Sequence, residues 1–152
     1  MAGIVGLTEL QHTNATSAMT IDTSGNLTIK TGTTTVKGEG TATTNLQQGL
    51  CKSWISFDGA GTISTYDSFN IGSLTDVGTG DYGFTYTNNM RAANSYTLAG
   101  SCIGSLESNH YSFITSSADT LATTGTNFQL RHHASTINDQ DPVGINTHGD
   151  LA

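Results

Sequence analysis

The chain has 152 residues, 11% charged and 35% apolar, rich in Gly, Thr and Ser, a balance that fits one modest domain with or without an arm and disfavours helical bundles and highly charged disordered chains. Five Lys and Arg against a formal net charge of −7 argue against a nucleic-acid partner, because phosphate binding draws its affinity from basic groups that displace counterions. No apolar run approaches the ~20 residues that span a bilayer, and MAGIVGLTELQH has neither a basic leader nor a long apolar stretch, so neither membrane insertion nor a signal peptide is expected.

From the N-terminus, Ile4, Val5, Leu7 and Leu10 form an apolar cluster too small to fold alone, followed by the polar stretch Thr13 to Ser17. It reads as an arm whose apolar residues are covered by a partner subunit, or as a loose terminus. Next come two alternating runs, Met19-Thr20-Ile21 and Leu27-Thr28-Ile29, separated by Asp22-Thr23-Ser24-Gly25-Asn26. Gly25 and Asn26 tolerate the positive φ of a tight turn, so a β-hairpin is predicted. A lone two-stranded ribbon is marginal in water and needs a neighbour. TATTNLQQGL, Thr41 to Leu50, reads as a connector with one helical turn around Leu46, which divides residues 1–49 from a second domain at 50–152.

From Cys51 onward short strands recur. Ile55 and Phe57 point one way and Trp54 and Ser56 the other; Tyr82, Phe84 and Tyr86 share a face, since side chains alternate with period two. Further strands are predicted around Tyr96 to Leu98, Tyr111 to Phe113, Phe128 to Leu130 and Val143 to Ile145. Turn signals separate them at Asp58 to Gly61, Asn70 to Gly72, Gly78 to Asp81 and Asp139 to Pro142. MRAANSYTLAG is read as a helical turn at Met90 to Ala93 leading into a strand, and Ser116 to Thr126 as a surface loop. The fold class is all-β: an antiparallel β-sandwich, jelly-roll-like, preceded by the arm and hairpin.

At WISFDGAGTISTYDSFNIGSLTDVGTGDYGFTYTNNM the chain resembles a recurrent module of tailed-bacteriophage virion proteins of the tail-fibre and capsid-decoration type. The resemblance rests on Lys52, Trp54, Phe57, Gly59, Gly61, Ser68, Phe69, Asn70, Asp76, Gly78, Thr79, Gly80, Asp81, Tyr82, Phe84 and Met90, with closing strands in FQLRHHASTINDQDPVGINTHGDLA. MTIDTSGNLTI likewise resembles hairpins that phage fibres use where three chains wind together. The resemblance implies a homotrimer on the virion, with the major capsid protein or tail proteins as partners. Without an extended repetitive shaft, a short appendage or a cement protein is expected rather than a full fibre. Ile4, Val5, Leu7, Leu10, Met19, Ile21, Leu27 and Ile29 are then the expected subunit or virion interface. The alternative is a tail-fibre receptor-binding module that recognises a host surface glycan, with Tyr66, Tyr82 and Tyr86 as candidate stacking residues, because tyrosine joins an apolar face to a polar tip.

No catalytic group, cofactor or metal site is expected. His132 and His133 are adjacent, so on a strand they face opposite ways; only a threefold axis would gather copies of one around an ion. Asp139 and Asp141 lack the EF-hand pattern and suit a turn. Asp58, Asp67, Asp76 and Asp81 lie in or beside glycine turns, where carboxylates cap backbone N–H groups, although paired carboxylates are also what glycoside hydrolysis uses. No hydroxyl sits in a Gly-x-Ser-x-Gly context. Cys51 and Cys102 are expected to be free thiols in a cytosolic setting, though pairing stays open in the sequence.

Overall fold

The computed structural model describes residues 9–11, 17–29, 35–37, 43–102, 113–115, 121–131 and 137–152. The chain falls into two units, Met1–Gln47 and Gln48–Ala152. Among the described residues no helix is long and apolar enough to cross a membrane.

In the first unit, β1 (Glu9–Gln11), β2 (Ser17–Ile21) and β3 (Leu27–Ile29) form an antiparallel three-stranded sheet in that order, and β4 (Thr35–Lys37) pairs with β5 (Thr43–Asn45). The hairpin predicted from alternation lies at β2 and β3. Asp22 builds its turn: Oδ1 accepts the N–H groups of Ser24 at 2.8 Å and Asn26 at 2.9 Å, and Oδ2 accepts Asn26 Nδ2 at 2.9 Å. Those bonds hold the Asp22 carboxyl below its ordinary pKa, the Asn26 side chain contributing most. Gly25 takes the turn's positive φ of 83°.

A four-residue helical turn, α1 (Leu46–Gly49), follows β5. The second unit is an antiparallel β-sandwich. Its first sheet contains β6 (Cys51–Asp58), β7 (Ser64–Phe69), β10 (Tyr96–Cys102) and β14 (Val143–Gly149), in the order β10-β14-β6-β7. The second contains β8 (Ile71–Gly78), β9 (Asp81–Tyr86), β11 (Phe113–Thr115) and β13 (Gly125–Arg131), in the order β11-β13-β9-β8, with β12 (Leu121–Ala122) also on β13. The hairpins β6–β7 and β8–β9 each stay within one sheet.

Alternation explains the core. Ile55, Phe57, Val143 and Ile145 of the first sheet meet Tyr82, Phe84, Phe128 and Leu130 of the second, all buried. Phe57 packs edge-on against Tyr82 at 5.1 Å between ring centroids, and Tyr86 against Tyr96 at 5.8 Å. Each such side chain contributes about 1.5–3 kcal/mol on burial.

Two local readings change. Met90 starts no helical turn; it is buried and forms an isolated antiparallel bridge with Leu151. Part of the expected surface loop Ser116 to Thr126 is strand: Leu121–Ala122 pairs back on β13, and Gly125 and Thr126 are buried.

Candidate functional site

Asp58 and Asp139 lie where three turns of the sandwich meet, while Asp67 lies within β7 and Asp76 within β8. Asp58 Oδ1 accepts the Ala60 N–H at 2.8 Å, closing the turn after β6. Asp139 Oδ1 accepts the Gly80 N–H at 2.6 Å, and the Tyr82 hydroxyl oxygen lies 2.9 Å from the same Oδ1 and 2.7 Å from the Gly59 carbonyl oxygen. The Gly59 N–H in turn donates to the Gln140 carbonyl at 2.9 Å. Tyr82 thus ties the turns at Gly59, Gly80 and Asp139 with one hydroxyl, and burial first, then the Asp139 bond, raises its pKa. Asp67 accepts the Ser68 N–H at 2.8 Å, and Asp81 Oδ2 accepts Gln129 Nε2 at 3.0 Å. These carboxylates serve backbone and side-chain donors within the fold. Among the described residues no group of three or more His, Cys, Asp or Glu is placed to hold a metal ion.

Of the candidate stacking residues, Tyr82 and Tyr86 are core residues, because β9 turns its even-numbered side chains into the sandwich; neither ring is open to a glycan. Burial also raises the Tyr86 pKa. Tyr66 is different: it is 56% exposed, and its hydroxyl donates to Asp141 Oδ1 at 2.7 Å. That bond, ahead of the nearby Asp141 and Asp58 charges, pushes its pKa up to about 12.

Cys51 lies opposite His148 on β14 and Cys102 opposite Val143, so five residues of strand, roughly 17 Å at ~3.4 Å each, separate their levels. A disulfide needs Cα atoms within about 7 Å, and both thiols are free. His132 and His133 lie outside the described residues.

The expected interface residues divide. Ile4, Val5 and Leu7 lie outside the described residues. Leu10 is opposite Met19 in the β1–β2 register, Met19 is opposite Ile29 and Ile21 opposite Leu27. Directly opposed residues, and residues two apart on one strand, share a sheet face. Met19, Ile21, Leu27 and Ile29 therefore form one apolar patch, of which Ile21 is 46%, Leu27 56% and Ile29 52% exposed. Among the described residues nothing covers that face, and a contiguous exposed apolar patch marks a surface that associates.

The chain matches no protein-family model, no curated protein and no solved structure.

Sequence reasoning passed over one pair. Trp54 on β6 and Phe69 on β7 are direct cross-strand partners, both exposed on the outer face of the first sheet.

Proposed function

We propose that the chain is a structural protein of a bacteriophage virion, a homotrimeric surface appendage or capsid cement protein. Its N-terminal unit joins three copies and docks them on the major capsid or tail proteins. The sandwich of residues 48–152 is carried outward. Adhesion is by buried apolar area, with no bond chemistry.

One observation carries the reading: the apolar patch of Met19, Ile21, Leu27 and Ile29 on a small three-stranded ribbon, with Ile21, Leu27 and Ile29 about half exposed. Its occupant is a second and third copy of the same patch, since apolar side chains at this density are covered in stable proteins and one apolar face repeated about a threefold axis covers itself. The virion assignment is supported by the resemblance between residues 52–90 and phage surface modules. The motif residues serve the sandwich itself: Phe57, Tyr82 and Phe84 pack its core, and Gly59 and Gly80 form the turns that Tyr82 and Asp139 tie. Asp58 and Asp139 are occupied as turn acceptors, which suits a scaffold.

The test is the composition of purified particles. Quantitative mass spectrometry should find the chain in copy numbers divisible by three relative to the major capsid protein. Its absence from washed particles would overturn the virion reading.

A further inference from the structure

We propose that the outer face of the sheet β10-β14-β6-β7 is a binding site for a neutral saccharide, built on the Trp54–Phe69 pair and the open depression beside His148. This is independent of self-association through β2–β3.

The register lays out the site. Ile55, Phe57, Val143 and Ile145 point into the core, so their neighbours Trp54, Ser56, Gly144 and Asn146 point outward. Across the strands Ala99, Asn146, Trp54 and Phe69 stand in one row. Trp54 is 37% and Phe69 53% exposed, which gives two adjacent rings on a sheet face. The next row holds Ser101, Gly144, Ser56 and Asp67, small groups and one acceptor that leave a ledge beside the rings. In the other direction along β14, two residues or roughly 7 Å from Asn146, exposed His148 faces Thr97. There an open depression of ≈ 390 Å³ is lined by Asn94, Ser95, Thr97, His148 and Asp150 among others. Between the rings and this depression, the Asn146 Oδ1 is covered and has no hydrogen-bond partner.

The combination selects an occupant. A pyranose has an apolar C–H face that lies on an aromatic ring and a rim of hydroxyls that both donate and accept. A cross-strand pair of exposed rings bordered by amide, hydroxyl, imidazole and carboxylate groups matches both. Neutral sugar is favoured over anionic: Asp67 flanks the rings and Asp150 the depression, the Lys52 ammonium is turned to the Leu50 carbonyl at 3.0 Å, and Arg91 faces Asp150 at 3.7 Å.

A second copy of the chain fits less well. Rings that bury about 150–250 Å² each when fully covered leave roughly 200 Å² available at these exposures. A standard protein interface takes about 800 Å² per partner and depletes its centre of charge. The patch is sized for a small ligand.

Trp54 is the single tryptophan, so its emission reports on this site alone. The full-length protein is titrated with cellopentaose, maltopentaose, mannopentaose and xylopentaose, with trigalacturonate as the anionic comparison. The expected result is a saturable change in Trp54 emission with at least one neutral pentasaccharide and at least about tenfold weaker response to trigalacturonate. Phe69→Ala should weaken that binding by about tenfold or more. Trp54→Ala, followed by calorimetry, should abolish it, while Val77→Ala on β8 of the other sheet leaves it unchanged. Three outcomes overturn the proposal: no saturable response to any of the four neutral sugars, binding that Phe69→Ala leaves intact, or emission that shifts with protein dilution and not with sugar, which would assign the face to a second copy.

Discussion

Asp139 Oδ1 lies 2.9 Å from the Tyr82 hydroxyl oxygen and 2.6 Å from the Gly80 nitrogen, so one carboxylate oxygen holds a core tyrosine and a turn glycine together. The tyrosine ring belongs to the hydrophobic core and its tip to the loops, which couples the packing of the sandwich to the shape of one of its ends. Tyr82→Phe keeps the ring and removes the tie. It should cost about 1–2 kcal/mol, because the buried Gly59 carbonyl loses the hydroxyl donor while Asp139 keeps the Gly80 N–H. Thermal unfolding of the variant checks this; an unchanged Tm would mean the network contributes nothing.

Gly80 tests the same junction from the backbone. Its φ is +62°, and a Cβ there would meet the Asn138 carbonyl oxygen at 2.9 Å, the Asn138 nitrogen at 3.0 Å and the Ile137 side chain. Gly80→Ala should therefore destabilise by more than ~1 kcal/mol, from the left-handed conformation and the clash together. Gly61, also at positive φ but with open space around it, should lose less on the same change. Paired denaturant melts compare the two.

The core should respond as a unit. Phe57 touches both Tyr82 and Phe128, with ring centroids at 5.1 and 6.2 Å. Phe57→Ala should cost about 3–5 kcal/mol, the range for deleting a buried aromatic ring. Phe69→Ala, on the exposed face, should cost well under that. A similar loss for both would contradict the inside and outside assigned to β6 and β7.

Much of this sandwich is legible in the chain. The run Tyr82, Phe84, Tyr86 predicts a strand with one apolar face, and β9 has it; Asp58, Gly78, Gly80 and Asp139 predict turns, and turns lie there. On β9 the rings Tyr82, Phe84 and Tyr86 share one face against Asp81, Gly83 and Thr85 on the other, and that apolar face is the one buried, so Tyr82 and Tyr86 are core rather than glycan-facing. Gly125 and Thr126 carry almost no hydrophobic signal; they are buried because β13 pairs with Thr85 and Phe84, a long-range fact. The Trp54–Phe69 pair is hidden for a related reason. Their registration depends on the bulge between Ser56 and Phe57 that absorbs one residue of β7, and nothing local announces it.

Tyr66 offers a pH-dependent check. Its pKa is about 12 in the folded chain because the Asp141 carboxylate accepts its proton's bond, against an ordinary value of ~10. The folded state therefore keeps a proton that the unfolded chain releases, and the tie is fully present below pH ~10 and lost as pH rises through about 12. Asp141→Ala should move one tyrosine titration, followed by tyrosinate absorbance, back toward ~10. No change in the titration would place the Tyr66 hydroxyl elsewhere.

The central claim is that the apolar face of the hairpin is covered by other copies of the chain. Light scattering after gel filtration tests it most directly, on the full-length protein and on the double variant Ile21→Asp, Leu27→Asp, whose sandwich residues are untouched. The native protein should scatter with a mass three times the 15.8 kDa chain and the variant as a single chain, with thermal unfolding of the sandwich retained. A native protein that elutes as one chain, or a variant that keeps three, would contradict it.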